Sequence, residues 1–259
     1  MNQKGRRQAV KPERKGPIIP RSIVAHMRER YIFNFRLKPE ALARHLPVPW
    51  LEPQVVNGWS IISFCILKLE KIMLSPLPPI IRFDTISCAY RIGVIDTSGA
   101  KPEPSVYVTD RNADLSIIAR IGPLLLLDTI PAVKAAIGHA DNKMHVQLSY
   151  MDGQHLFSAE ASPSADNSKL NSEVFPSVES FASFIKAGVS SYTPSVVAGY
   201  YAKVDLYKED VAYRPLDAQI EYSWLDGVWR DAGMVYDSAV HATGARYKWT
   251  YRGLWRSSQ

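Results

Sequence analysis

The dipeptide Asp152-Gly153 is the feature that most constrains how this chain folds. Asp-Gly is typical of the two-residue turn of a β-hairpin, because both central residues of that turn take positive φ. A turn here pairs apolar side chains on one face of the hairpin: Val146 with Ala159, and Leu148 with Phe157. The other face pairs polar side chains: His145 with Glu160, and Gln147 with Ser158. Because the two strands agree on the apolar face, the sequence predicts an antiparallel hairpin in this register.

Most of the remaining chain also has the character of strands. Aromatic and β-branched residues or alternating patterns predict strands over 31–36, 55–69, 86–95, 105–110, 115–121, 196–206 and 216–224. Short helices are predicted over 39–46, 131–137 and 177–188. Strands and helices do not alternate regularly, so we expect a mainly β (α+β) fold. Its predicted form is an antiparallel sheet or barrel in a single domain over 22–259.

The composition excludes a disordered, collagenous or disulfide-rich chain. Hydrophobic residues make up 46% and charged residues 22%, close to the averages for globular proteins. The longest apolar stretches, 61–67 and 123–127, are far shorter than the roughly 18 residues of a membrane span. Cys65 and Cys88 lie within apolar strands, which is typical of buried thiols in a reducing compartment. We therefore expect a cytoplasmic protein without a membrane span.

Positive charge is concentrated at the start of the chain. Residues 1–21 hold seven basic side chains and one acidic side chain, which accounts for the whole formal net charge of +6. This proline-containing segment is predicted to be a disordered, solubilising tail, with a weak electrostatic tether to nucleic acid or anionic lipid as the alternative. Residues 22–259 are neutral, which argues against nucleic-acid binding by the folded part.

The strand over 86–95 has two unlike faces. One face is apolar, whereas the other places Arg91 among Ser87, Ala89 and Gly93. Small neighbours leave room around a guanidinium, which favours a pocket that receives an anion. With residues from neighbouring strands, the sequence predicts a polar cavity lined by Arg91, Tyr107 and Arg120. The alternative is that these arginines face solvent or pair with one of three nearby acids: Asp84, Asp110 and Asp114.

Other chemistry finds little support in the sequence. The six histidines have no two-ligand spacing on one helix, and two separate cysteines make no metal cluster, so no metal is expected. No glycine-rich phosphate loop occurs, and no cofactor is expected. The aromatic and basic segment 247–252 favours packing or a contact between copies of the chain over base stacking, which leaves a homo-oligomer open.

Several segments together resemble the acetoacetate-decarboxylase-like proteins. Three segments near the start of the chain are similar to the first part of that family's sequences: Arg28-Glu29-Arg30-Tyr31, Pro39-Glu40-Ala41-Leu42 and His45-Leu46-Pro47. The family's order continues in Ala89-Tyr90-Arg91-Ile92-Gly93-Val94, Pro104-Ser105-Val106-Tyr107-Val108 and Ala119-Arg120-Ile121-Gly122-Pro123. The resemblance covers about residues 28–215 and is strongest to the uncharacterised YqjF-like branch.

The resemblance implies a cone-shaped antiparallel β-barrel around a small-molecule cavity. It implies that Arg91 and Arg120 face inward and bind a small carboxylate or keto compound. Tyr107 and an N-terminal arginine, Arg28 or Arg30, are the further candidate binding residues.

The chain departs from the family's decarboxylases at one position. In those enzymes the segment matching 120–123 continues into paired lysines, one of which forms a Schiff base with a β-keto acid. Here leucines occupy 124–127, and the nearest lysine, Lys134, falls in a predicted helix. We therefore expect lyase-like acid–base chemistry without a lysine adduct. A non-catalytic binding or accessory protein on the same barrel is the alternative, and the sequence decides neither this nor the substrate.

Overall fold

A computed structural model of the chain describes residues 22–75, 78, 82–125, 127–167 and 169–257. The basic segment 1–21, predicted to be disordered, lies outside the described residues, as does most of the predicted loop at 76–79. None of the helices in the described part of the chain has the length and apolar character needed to cross a membrane.

The described residues form twelve strands, four short α-helices and one 3₁₀ turn. In chain order the elements are β1 (Ser22–Leu37), α1 (Pro39–Ala43), β2 (Leu51–Pro53), β3 (Ser60–Ser75), β4 (Phe83–Asp96), β5 (Glu103–Ala113), α2 (Ser116–Leu125), β6 (Val133–Ala140), β7 (Lys143–Tyr150), β8 (His155–Pro163), α3 (Val178–Ala187), β9 (Ser190–Pro194), β10 (Tyr200–Lys208), β11 (Arg214–Ser223), α4 (Leu225–Trp229), the 3₁₀ turn (Arg230–Ala232) and β12 (Val235–Arg256). The predicted mainly β fold with a few short helices is confirmed.

Seven of the strands close into a ring, in the order β1-β3-β4-β5-β9-β10-β12, with β12 pairing back to β1. Every pair in the ring is antiparallel except β5 with β9, which is parallel. From β12 the sheet continues through β11, β8 and β7 to β6. The predicted barrel is therefore present, with a mixed rather than a purely antiparallel sheet.

The extension packs its apolar face against the outside of the ring. Phe157 of β8 contacts Phe33 of β1 and Phe64 of β3, with ring centroids 4.9 and 4.4 Å apart, and Phe64 stacks against Tyr90 of β4. Residues alternate between the two faces of a strand, so the intervening side chains of β1, β3 and β4 point into the ring. Both faces of these strands are thus covered, which explains their nearly continuous apolar sequence.

The predicted hairpin forms, but its turn has three residues rather than two: the N–H of Tyr150 donates to the carbonyl of Gln154, and of Asp152 and Gly153 only Gly153 takes positive φ. Val146 pairs with Ala159 and Leu148 with Phe157, and all four side chains are buried. The register slips by one residue between Leu148 and Ser149, next to the turn. The alternating pattern thus fixed both the partners and the buried face.

Two predicted elements were wrong. The predicted strand over 115–121 is helix α2, whose apolar residues Ile118, Ile121 and Leu125 recur at helical spacing rather than in alternation. The predicted helix over 131–137 is strand β6, in which buried Val133 and half-buried Ala135 alternate with exposed neighbours. Pairing with β7 overrides the helix propensity of its alanines, because propensity is weak against tertiary contacts.

Helix α3 closes one end of the ring, and its predicted cap is confirmed. The Ser177 hydroxyl accepts a hydrogen bond from the backbone N–H of Ser180, and the Ser180 hydroxyl accepts one from the N–H of Ser177. Phe181 is buried among Phe175, Tyr213 and residues of the inner face of β1 and β12.

We expect Ser177→Ala to destabilise the protein by about 1 kcal/mol, because the cap satisfies helix N–H groups that would otherwise lack partners. The measurement is urea unfolding followed by tryptophan fluorescence. Ser183→Ala is the matched control, since Ser183 is exposed on the same helix and bonds only the carbonyl of Glu179 one turn earlier. Equal losses of stability in the two variants would contradict the role of the cap.

Candidate functional site

The interior of the ring contains two adjoining cavities to which all seven ring strands contribute side chains. Cavity A has a volume of about 130 Å³, and cavity B, on the side closed by α3, has a volume of about 60 Å³. Three residues line both cavities: Arg91, Arg111 and Trp249. The two arginines therefore lie where the cavities meet.

Two register slips decide which arginines face this interior. In β1 the pairing with β3 slips between Met27 and Glu29, so Arg30 turns inward and is 2% exposed. Arg28, outside, forms a 3.0 Å ion pair with Glu70. In β5 a slip opposite Tyr90 and Arg91 likewise brings Arg111 into register with Ala89 on the inner face. A slip of one residue exchanges the two faces of a strand.

Arg91 occupies the predicted place on β4, with Ala89 and Gly93 on the same inner face. Its Nε is buried without a hydrogen-bond partner. None of the ion pairs among the described residues involves its guanidinium. Burial and the charges of Arg30 and Arg111 lower its pKa, although the nearby Cys65 opposes this. The site thus holds a cation whose charge no protein group balances directly.

Glycine at position 93 allows α3 to approach β4. A Cβ atom there would lie 2.8 Å from the ring of Phe184 on α3, which is closer than non-bonded carbon atoms come. Gly93 was predicted to leave space beside Arg91. That space is instead occupied by α3, the helix that closes cavity B.

The other two arginines of the interior already have partners. Arg30 donates hydrogen bonds to the hydroxyls of Tyr247 and Tyr213, at 3.2 and 3.4 Å, but these neutral groups do not cancel its charge. Arg111 forms a 3.4 Å ion pair with Asp128, which is buried beside cavity A. Burial raises the pKa of Asp128 even though Arg111 opposes this shift.

Lys208 at the end of β10 is a residue of cavity B that the sequence argument missed. Its Nζ donates a 2.5 Å hydrogen bond to the carbonyl of Ile185 in α3. Burial, reinforced by the charges of Arg30 and Arg91, lowers the pKa of Lys208 to about 7. The available signal was the alternation of Val204, Leu206 and Lys208, which places all three on the inner face.

Three of the predicted binding residues, all within the described part of the chain, lie outside the two cavities. Tyr107 pairs with Ile92 and so faces the outer core, where it contacts Tyr201. Arg120 is exposed on α2, because that segment is a helix rather than an inward-facing strand. Arg28 is exposed because of the slip in β1. Of the five predicted residues, the structure brings Arg91 and Arg30 to the cavities.

The alternative prediction was that Arg91 pairs with a nearby acid. Within the described part of the chain, Arg91 forms no ion pair with any of the three acids considered. Asp84 accepts the backbone N–H of Lys71, and Asp114 accepts the hydroxyl of Thr85. Asp110 accepts the hydroxyl of Tyr150. These carboxylates are engaged elsewhere, and Arg91 stays within the ring.

The electrostatic character of the interior is therefore positive. Four cationic side chains line the cavities, namely Arg30, Arg91, Arg111 and Lys208. Asp128 is the one acidic residue among the described lining residues. Within the described part of the chain, no cluster of three or more His, Cys, Asp or Glu residues is arranged to hold a metal ion. The arrangement suits a small anion held by hydrogen bonds from a guanidinium.

Comparison with known proteins reveals the fold but no near relative. No protein-family model matches the chain, and neither does any curated protein. Among solved structures, an acetoacetate decarboxylase from Legionella pneumophila aligns with a TM-score of 0.59 and 13% identity, covering 91% of this chain and 88% of that one. The enduracididine biosynthesis enzyme MppR aligns with a TM-score of 0.55 and 15% identity, covering 97% and 98%.

A third structure, an acetoacetate-decarboxylase-like enzyme from Sphingomonas wittichii RW1, aligns with a TM-score of 0.54 and 13% identity over 92% of this chain and 93% of that one. MppR has also been described in complex with pyruvate, at a TM-score of 0.54 and 15% identity over 92% and 91% of the two chains. At these identities the likeness concerns the fold. The chain has the acetoacetate-decarboxylase-like fold.

Proposed function

We propose that this protein binds a small carboxylate or keto acid inside the ring, with the carboxylate on Arg91. The observation that carries this proposal is the enclosed Arg91 guanidinium, which faces both cavities and has a buried Nε without a partner. A buried cation without a counter-ion is costly, and a bound carboxylate would remove that cost. Arginine also presents paired donors that match the two oxygens of a carboxylate.

The neighbouring charges support an anion at this place. Arg30 adds uncancelled positive charge, whereas the charge of Arg111 is already matched by Asp128. Arg91 is therefore the primary contact and Arg111 the secondary one. The complex of MppR with pyruvate indicates that the fold accommodates a keto acid in that protein, which is why we include keto acids.

A second candidate function is chemistry on the keto group by Lys208. An ordinary lysine is neutral in roughly one molecule in 2,500 at pH 7. With a pKa of about 7, Lys208 is neutral in about half. The sequence argument against a lysine adduct concerned the leucines at 124–127 and Lys134, which is exposed on β6. Lys208 is far from both in sequence but faces cavity B, which Arg91 also lines.

The step would be addition of the neutral amine to the carbonyl carbon. The nitrogen lone pair forms the C–N bond, and the carbonyl oxygen takes up a proton released by the amine. Loss of that oxygen as water, with a second proton, leaves an iminium, which withdraws electrons from the neighbouring bonds. A non-catalytic binding protein would bind the same ligand without this adduct.

We expect pyruvate to raise the melting temperature of the wild type and to have no such effect on Arg91→Met. At about 100 times the dissociation constant, binding adds roughly 2.7 kcal/mol, or roughly 5–10 °C for a chain of this size. Methyl pyruvate, which lacks the charge, should have little effect. The measurement is a thermal-shift titration.

Arg120→Met is the matched control, since it removes an exposed arginine. It should keep the wild-type response. Without ligand, Arg91→Met should be at least as stable as the wild type, because it removes a half-buried charge that has no ion-pair partner among the described residues. A full pyruvate shift in Arg91→Met, or no shift of the wild type with any carboxylate or keto acid, would refute the proposed binding site.

We expect borohydride with pyruvate to attach one reduced adduct to Lys208, found by mass spectrometry of peptides. Because the neutral amine reacts, the extent of trapping should rise with pH through about 7 and level off above it. Lys208→Met should abolish the adduct, and Lys134→Met should not. Pyruvate binding without an adduct would favour the non-catalytic function, and an adduct that persists in Lys208→Met would exclude Lys208 as the nucleophile.

A further inference from the structure

Cavity A changes character along its length. Its inner end carries Arg91 and Arg111, where it meets cavity B. Away from this end, the inward residues of β4 lead through Ala89 to Phe83. Ser87 and Thr85 lie between Ala89 and Phe83 on the same inward face. The cavity thus runs from a charged end to an aromatic one.

The wall beside this part of β4 is apolar. Leu67 pairs with Ser87 and Leu69 with Thr85, while Ile72 pairs with Phe83. Other apolar residues of β1, β3 and the segment after α2 complete the wall: Ile23, Leu74 and Ile130. An apolar wall of this kind favours contact with hydrocarbon rather than with water.

The two polar side chains that β4 contributes to this section already bond to other protein groups. The Ser87 hydroxyl donates to the carbonyl of Asn112 at 3.1 Å. The Thr85 hydroxyl donates to the carboxylate of Asp114 at 2.7 Å. Neither hydroxyl proton is therefore available to a ligand, although each oxygen can still accept. A polar ligand group placed in this section would therefore form few hydrogen bonds with the protein.

The volume indicates how much hydrocarbon the cavity accepts. An apolar cavity of about 150 Å³ holds a benzene molecule, whereas cavity A has a volume of about 130 Å³. A group of about five or six carbons thus fits. Pyruvate, with its single methyl group, would leave most of cavity A empty.

We infer that the ligand is an amphipathic acid: a carboxylate or 2-oxo acid whose carboxylate lies on Arg91 and whose apolar tail of about five or six carbons fills cavity A. This inference rests on the proposed function and adds the class of substrate to it. The tail extends from Arg91 towards Phe83, past Ala113 and Ile130.

The test is a series of straight-chain 2-oxo acids, from pyruvate to 2-oxodecanoate, titrated against the full-length protein by calorimetry. We expect the affinity to rise by about fourfold for each methylene that enters the cavity, and to stop rising when the tail has about six carbons. An affinity that is flat or falls beyond pyruvate would overturn the inference.

Two substitutions should change the preferred length of the ligand's tail in opposite directions. Ala113→Leu places extra carbons in cavity A and should shorten the preferred tail. Ile130→Ala enlarges the cavity and should lengthen the preferred tail. Ala136→Leu makes the same change as the first variant at an exposed position of β6 and should leave the chain-length profile as in the wild type. A circular-dichroism spectrum like that of the wild type and a cooperative melting transition check that each variant is folded.

The outcomes separate this inference from the proposed function. If pyruvate binds through Arg91 and longer tails bring no gain, the tail assignment alone fails. If no acid of any length binds, or if Arg91→Met binds every acid as the wild type does, the proposed function fails and the inference fails with it. A chain-length optimum that the Ala113→Leu and Ile130→Ala substitutions do not move would place the tail outside cavity A and overturn the inference.

Discussion

Closure of the ring by β12 is the constraint on which the rest of the structure depends. This 22-residue strand pairs with β1 along most of its length, with β10 near its end and with β11 near its start. Gly244 and Gly253 take positive φ within it, which lets so long a strand bend around the ring. Without this closure the inner faces of the strands would face water, and their arginines would be ordinary solvated side chains.

Enclosure is what gives those side chains their chemical character. A guanidinium in water interacts weakly with an anion, whereas one in a poorly solvated interior interacts strongly and has few competing partners. The same enclosure lowers the pKa of Lys208 and raises that of Asp128. One physical cause, exclusion of water by a closed sheet capped by α3, thus brings together in one interior a guanidinium without an ion-pair partner among the described residues, a lysine of lowered pKa and a carboxyl group of raised pKa.

The sequence predicted what depends on local pattern. The hairpin at Asp152-Gly153, the Ser177 cap and the inward position of Arg91 all follow from alternation or turn chemistry within a few residues. The errors arose where distant contacts decide. Pairing of β6 with β7 outweighed the helix propensity of the alanines in β6. The resemblance to the family placed Arg120 in the cavity but did not indicate that its segment forms a helix here. Lys208 was missed because only closure of the ring, with β10 between β9 and β12, turns the inner face of β10 towards a cavity that β4 and β5 also line.

The slip in β1 has a consequence for the charge inside the ring. Because it exchanges the faces of the strand, Arg30 faces the cavities while Glu29 and Tyr31 face away from them. Arg28 is the extra residue at this slip, since Met27 pairs with Leu69 and Glu29 with the next residue, Lys68. Simple alternation continued from Met27 through Arg28 would instead turn Glu29 inward and Arg30 outward, and a carboxylate would stand where a guanidinium stands now. The sign of the charge inside the ring therefore depends on one bulge in the backbone as much as on side-chain identity.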